Sequence, residues 1–134
     1  LDHLTRYIEK SLKENENLIV LGDFNIAPED RDVYDPEAWK DKVLCSKQER
    51  GALEKLVDLG LVDSFRLFKQ QDASYSWWDY RAAAYRRKMG LRIDLILLST
   101  PVAERCTSST IDESPRGWEK PSDHTPVVVE IDIG

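Results

Sequence analysis

No run of about 18 apolar residues, the length a membrane-spanning helix needs, occurs in the sequence, and nothing at its N-terminus resembles a signal peptide. A membrane partner is therefore not expected. Cysteine is scarce: Cys45 and Cys106 are the only two, with no CxxC spacing, which argues against a disulfide scaffold and fits a reducing cytoplasm. Each is expected to be a small buried apolar residue. Excess positive charge is also missing. A formal net charge of -6 excludes a generally basic coat for a polyanion, so any such contact must come from a local cluster. Histidine is limited to His3 and His124. There are no internal repeats, no low-complexity tracts and no initiating Met. Leu1 already sits on a helical stripe, so the start is expected to be a cut inside a longer protein.

What is present suits one globular unit: 134 residues, 41% apolar and 33% charged. Leu1, Leu4, Ile8 and Leu12 recur at helical spacing and predict an amphipathic helix ending in the polar stretch from Glu14 to Asn17. Leu18 to Leu21 predicts a buried strand stopped by Gly22. A loop follows from Pro28 through Asp35-Pro36, with Trp39 as an anchor against the core. Ser46-Lys47-Gln48-Glu49 has capping-box spacing and opens a helix through Leu53, Leu56 and Val57 that stops at Gly60. Leu61 to Phe68 predicts a short helical turn. Ser74 to Tyr80, Arg92 to Leu98 and Pro126 to Ile133 predict three more strands.

The runs Leu18–Leu21, Leu95–Leu98 and Val127–Val129 are apolar on both faces of any strand they form. A sheet built from them needs cover on both sides, and the predicted helices supply one. A second layer, another sheet or another subunit, is expected on the remaining face.

Three features carry chemistry. Gly22-Asp23-Phe24-Asn25 follows a buried strand, and period-2 spacing projects Asp23 and Asn25 to the same side. Such a pair suits phosphodiester hydrolysis, with Asp23 taking a proton from water and Asn25 donating to phosphate or holding that water. An Asx turn capping the strand explains the same residues equally well. Asp94 is a lone acid in an apolar strand and needs a partner, because an unpaired buried carboxylate is costly. Arg92 on the same face is one candidate. His124, in Ser122-Asp123-His124-Thr125-Pro126, is the other, and pairing would leave its second ring nitrogen for substrate. Asp123 is either a solvated turn residue or an oxygen ligand for a divalent cation.

The local basic cluster exists. Arg81, Arg86, Arg87, Lys88 and Arg92 lie between Asp79 and Asp94 with no acid among them, giving +5. They follow Tyr75, Trp77, Trp78 and Tyr80. Cations attract backbone phosphates and flat rings stack on bases, although the same rings also read as an aromatic core under a solvated loop.

Taken in order, Leu21-Gly22-Asp23-Phe24-Asn25, then Trp78-Asp79-Tyr80-Arg81 followed by Gly90-Leu91-Arg92-Ile93-Asp94, then Lys120-Pro121-Ser122-Asp123-His124-Thr125-Pro126-Val127 resemble the exonuclease III branch of the endonuclease/exonuclease/phosphatase family. The resemblance implies an α/β (α+β) fold. Residues 1–134 would form the C-terminal half of a four-layer sandwich, with one mixed sheet carrying helices on one face. It implies a Mg²⁺-dependent hydrolase, with Mn²⁺ as the alternative ion, acting on double-stranded DNA at abasic sites and 3′ ends. By position, Asp23 resembles the water-activating residue, Asn25 the phosphate-orienting one, and Asp94 with His124 the pair at the scissile phosphate. Asp123 resembles a metal-associated carboxylate, with Asp23, Asn25 and His124 completing the implied metal neighbourhood. Trp77, Leu91 and Ile93 resemble an abasic-sugar pocket, and Trp78 and Arg81 a DNA-facing loop.

One departure is large. The family's principal metal-binding Glu, a catalytic Asn and a Tyr near the phosphate come from the N-terminal half, and no such motifs occur here. Glu29, Asp30 and Asp32 lie in a loop, and Glu49 is explained as a cap. The chain alone is thus expected to have little nuclease activity and weak Mg²⁺ affinity, with the missing N-terminal half as its partner. Two other readings stay open: a phosphoester phosphatase of the same superfamily, and a non-catalytic half-domain that binds DNA or associates with a partner.

Overall fold

A computed structural model describes residues 2–79, 84–117 and 122–133. Leu1 of the helical stripe, Tyr80 of the aromatic strand and Arg81 of the DNA-facing loop lie outside the described residues. The chain opens with α1 (Asp2–Glu14), β1 (Ile19–Asp23), α2 (Pro36–Trp39) and α3 (Lys47–Asp58). It continues through β2 (Leu61–Asp63), β3 (Trp77–Trp78), β4 (Gly90–Leu91) and β5 (Asp94–Ser99). It ends with α4 (Thr100–Ala103), β6 (Cys106–Ile111) and β7 (Val127–Ile131).

The α+β class holds, but the expected single mixed sheet does not. The described strands pair antiparallel, as a three-stranded sheet in the order β1-β5-β2 and two two-stranded ladders, β3–β4 and β6–β7. β5 is central and buried along nearly its whole length, which explains its unbroken Leu-Ile-Leu-Leu run. Leu95 and Leu97 point to one face and pack with Ile8 of α1 and Leu53 and Leu56 of α3. Ile96 and Leu98 point to the other and pack with Val102, Val127, Val129 and Ile131. The second layer required by the sequence is thus supplied for β5 by the β6–β7 ladder of the same chain. It does not reach all of β1, where Ile19 is 43% and Leu21 66% exposed.

Local chemistry fixes the ends of α3. The Ser46 hydroxyl accepts the backbone N–H of Glu49, and the Glu49 carboxylate accepts from the Ser46 hydroxyl and the N–H of Leu44. The capping box predicted there therefore closes on Leu44, two residues before the N-cap that usually donates. Gly60 ends the helix at φ +111, in the left-handed region where only glycine is unstrained.

The helical turn expected over Leu61–Phe68 is instead β2 followed by a 3-10 turn, Ser64–Leu67. Leu61 and Val62 pair with the edge of β5, and the Asp63 carboxylate then caps Phe65 N. The predicted strand from Ser74 to Tyr80 shrinks to Trp77–Trp78. Cys45 is buried as expected, whereas Cys106 is only partly so. Trp39 is half-buried against Val33 and Cys45, the anchor expected in that loop.

Behind the sheet end lies a buried ionic cluster. The Arg92 guanidinium, 1% exposed, donates to Asp32 (2.7 Å) and Asp63 (2.6 and 3.1 Å), and Arg66 also donates to Asp32. Its position across two carboxylates holds Arg92 well above the already high guanidinium range, despite the opposing cost of burial. Arg92 is therefore withdrawn from the cationic loop.

Candidate active site

Strand register builds the site. In the β1–β5 ladder Asp23 stands opposite Asp94, so two carboxylates meet at one end of the sheet. A second pairing brings in the histidine: Trp77 bridges His124, Trp78 N donates to Asp123 O, and Thr125 N donates to Ser76 O. The Ser122–Thr125 segment is thereby laid against β3. His124 Nδ1 lies 2.9 Å from Asp94 Oδ2, and His124 Nε2 lies 3.6 Å from Asp23 Oδ2. Of the two partners open to Asp94, the structure selects His124 and gives Arg92 to Asp32 and Asp63.

The electrostatics follow from this enclosure. Burial pushes Asp94 up from the ordinary carboxylate value, while hydrogen bonds from His124 and Ser76 pull the other way without cancelling it. Burial alone would lower His124, but the carboxylates of Asp94, Asp23 and Asp123 outweigh it and raise the imidazole above its usual value. Asp94 thus holds one ring nitrogen and leaves Nε2 facing Asp23 across a half-exposed gap.

Asp23 has a double role. Its Oδ1 accepts the backbone N–H of Asn25 at 2.9 Å, which is the Asx turn open to these residues, while Oδ2 faces His124. Asn25 is not in line with the strand as its spacing suggested: β1 ends at Asp23 and Asn25 turns at φ 53. It remains exposed beside the site.

Other expected residues fall differently. Asp123 is not among the three grouped residues, and its Oδ2 accepts the Trp77 indole N–H at 3.1 Å. Trp77 is half-buried next to His124, but Leu91 (0% exposed) and Ile93 (2%) lie beneath it in the core. They form a floor, so of the three residues likened to an abasic-sugar pocket only Trp77 is partly exposed. Trp78, 2% exposed, is buried with Tyr75 and Ala84 and offers no face to DNA. A single sequence cannot separate an aromatic core from a stacking platform, because both need the same flat apolar rings. Arg86, Arg87 and Lys88 are exposed on a turn and keep the cationic character of the loop.

Ser76 escapes sequence reasoning. Fully buried, its hydroxyl accepts the backbone N–H groups of Ile93 and Asp94, each at 3.1 Å, and its presence beside the Asp94 carboxyl opposes the upward push of burial. It fixes the Asp94 end of the pair. The only signal is its place beside Trp77, and serine in a polar stretch carries no periodicity.

Asp23, Asp94 and His124 bring ligand atoms within 4.8 Å of one another. A carboxylate-rich donor set fits a hard divalent cation. Three donors, one of them already paired with Asp94, fall short of about six ligands around such an ion, so water, substrate or further protein must supply the rest.

Residues 1–124 match the model of the endonuclease/exonuclease/phosphatase family. The chain is 39% identical over 135 residues to exodeoxyribonuclease III of Haemophilus influenzae, covering 96% of this chain and 51% of that protein. Among solved structures it is similar to a 3′ phosphatase from Neisseria bound to a product DNA hairpin. That match has 46% identity and TM-score 0.93, over 96% of this chain and 50% of that one. It is also similar to an AP endonuclease from Archaeoglobus fulgidus, with 36% identity and TM-score 0.90, over 98% of this chain and 52% of that one. The chain spans about half the length of the curated relatives it matches.

Proposed function

We propose, from the premise that this chain belongs to the endonuclease/exonuclease/phosphatase family, that it is the C-terminal half of a DNA-repair nuclease of the exonuclease III type. The observation that carries the proposal is His124 held between two carboxylates, 2.9 Å from Asp94 and 3.6 Å from Asp23. That arrangement separates the roles a phosphodiester hydrolase needs. Asp23, exposed and facing the gap, accepts the proton of the attacking water. His124, raised by its carboxylate neighbours and fixed by Asp94, presents Nε2–H to the phosphate oxygen that gains charge. Asn25 orients the phosphate.

Asp23, Asp94 and His124, with Asn25 and Asp123 beside them, would hold part of a Mg²⁺ or Mn²⁺ site. The ion would neutralise phosphate charge and lower the pKa of water. The remaining ligands come from an N-terminal half, which is also the partner that covers Ile19 and Leu21. The substrate we assign is double-stranded DNA at abasic sites and 3′ ends, approached through Arg86, Arg87 and Lys88, in a reducing cytoplasm. Removal of a 3′-terminal phosphate is the second reading, favoured by the likeness to the Neisseria 3′ phosphatase.

The test supplies the chain with its complementary half and Mg²⁺, then measures incision of an abasic duplex and release of phosphate from a 3′-phosphorylated end. Asp23→Ala and His124→Ala should each abolish both. Hydrolysis of a soluble phosphoester with neither DNA activity would move the assignment to a phosphatase of another substrate class. DNA binding without any hydrolysis would leave a non-catalytic half-domain.

A further inference from the structure

The strongest feature outside the paired carboxylates is Arg116, on the 3-10 turn Ser114–Gly117, a charged residue only 8% exposed. Its guanidinium lies over the ring of Tyr85, 4.7 Å from the centroid, and over that of Trp78 at 5.7 Å. The two rings meet edge to face at 5.1 Å. Arg116 Nη1 donates to the carbonyl of Ser122. Burying a guanidinium is unfavourable unless it is hydrogen-bonded, and while Nη1 has Ser122, Nε has no hydrogen-bond partner among the described residues.

What the guanidinium joins gives that position a meaning. On one side, Tyr85 belongs to the turn that exposes Arg86, Arg87 and Lys88. This turn is closed by two backbone hydrogen bonds, Met89 N donating to Ala84 O (2.8 Å) and Lys88 N to Tyr85 O (3.0 Å), which tie Tyr85 to its backbone. On the other side, Ser122 accepts from Arg116 at its carbonyl and from His124 N at its hydroxyl (3.2 Å). Trp78 adds a third tie, its N–H donating to Asp123 O at 3.0 Å.

We infer that Arg116 is a positioning residue that couples the cationic turn at residues 84–88 to the loop bearing His124. A polyanion seated on Arg86–Lys88 presses on Tyr85, and Arg116 passes that constraint to Ser122 and fixes the backbone entering His124. Arginine suits this place because a planar guanidinium stacks on two rings and still donates in its own plane, which an ammonium does not do. The identity of the polyanion as DNA rests on the function proposed above, while the link from Tyr85 to His124 rests on geometry alone.

The experiment has two readouts. In the 134-residue chain, the ¹⁵N–¹H signals of the His124 ring are recorded at one fixed pH for wild type, Arg116→Met, Arg116→Lys and Tyr85→Leu. In the enzyme completed with its other half, kcat and KM are measured on an abasic duplex. The ring signals should shift and broaden in Arg116→Met and in Tyr85→Leu, with Arg116→Lys intermediate. In the completed enzyme kcat should fall about tenfold or more in Arg116→Met while KM stays within about twofold, as expected for a misplaced catalytic group. Should Arg116→Met fail to fold, Arg116→Lys and Tyr85→Leu decide. His124 ring signals indistinguishable from wild type in the folded variants would overturn the coupling. A ring response in the 134-residue chain, together with a completed enzyme that cleaves no DNA, would uphold the coupling and reject the nuclease.

Discussion

Trp77 donates its indole N–H to the Asp123 carboxylate at 3.1 Å, so the ring beside His124 also holds the carboxylate that precedes it in the chain. Trp77→Phe keeps the apolar body and removes the donor. A hydrogen bond to an ionised acceptor is worth ~1.5–3 kcal/mol when shielded, and this half-exposed one should contribute about 1 kcal/mol. Urea unfolding of the two proteins should show that difference. An unchanged midpoint would mean that water replaces the indole without loss.

His124 makes stability depend on pH. Its folded-state value is raised, so its stabilising pairing is fully present below the unfolded value of about 6.5 and is lost as pH rises through the folded value. Asp94, also raised, remains the ionised partner only above its own folded value, so the window opens there. The stability gap between wild type and His124→Gln should therefore be larger at about pH 6 than at about pH 8.5. A gap that does not change with pH would place the imidazole outside the carboxylate pair.

Part of this site is legible in the sequence alone, for a definable reason. Asp23 and Asp94 end and begin strongly apolar strands, and a carboxylate at such a place must be paired or functional. His124 stands out because histidine is so rare here. The partners that hold them are not legible. Ser76 and Arg116 act through tertiary hydrogen bonds that leave no trace in spacing, and Arg92 lies in a run of cations while its side chain is buried against Asp32. β6 gives no strand signal because Cys-Thr-Ser-Ser-Thr-Ile has too few apolar residues to alternate, and its pairing with β7 makes it a strand.

The Arg92 cluster gives a sharper stability test. Removing one partner of a buried ion pair costs about 3–5 kcal/mol, because the other charge stays buried and uncompensated. Arg92→Met strands Asp32, 0% exposed, with Arg66 alone, and frees Asp63. Its loss should lie in that range by chemical denaturation, and adding Asp32→Asn should recover part of it. A loss below about 1 kcal/mol would show that the cluster is solvated in solution.

Gly90 tests packing beneath the site. A Cβ at this position would lie 2.5 Å from Trp78 Nε1 and 2.7 Å from the Tyr75 ring, closer than atoms approach, so Gly90→Ala must move two buried aromatic residues. Overpacking of this kind costs about 1–3 kcal/mol. Thermal unfolding should show it together with an altered near-ultraviolet dichroism from the displaced rings. An unaltered aromatic spectrum would contradict the close approach.

The last test concerns β1, one of the two edge strands of the three-stranded sheet among the described residues. Its exposed face carries Ile19 and Leu21, and its outer edge offers backbone groups without a ladder partner, a combination that promotes strand pairing between molecules. The chain alone should therefore self-associate in a concentration-dependent way, seen by sedimentation velocity. Leu21→Lys puts a charge on that face at a position already 66% exposed, so it disturbs the fold little and should weaken association about tenfold or more. On the function proposed above, an added N-terminal half should compete with self-association in wild type. A wild-type sedimentation coefficient independent of concentration would show that β1 is covered in solution.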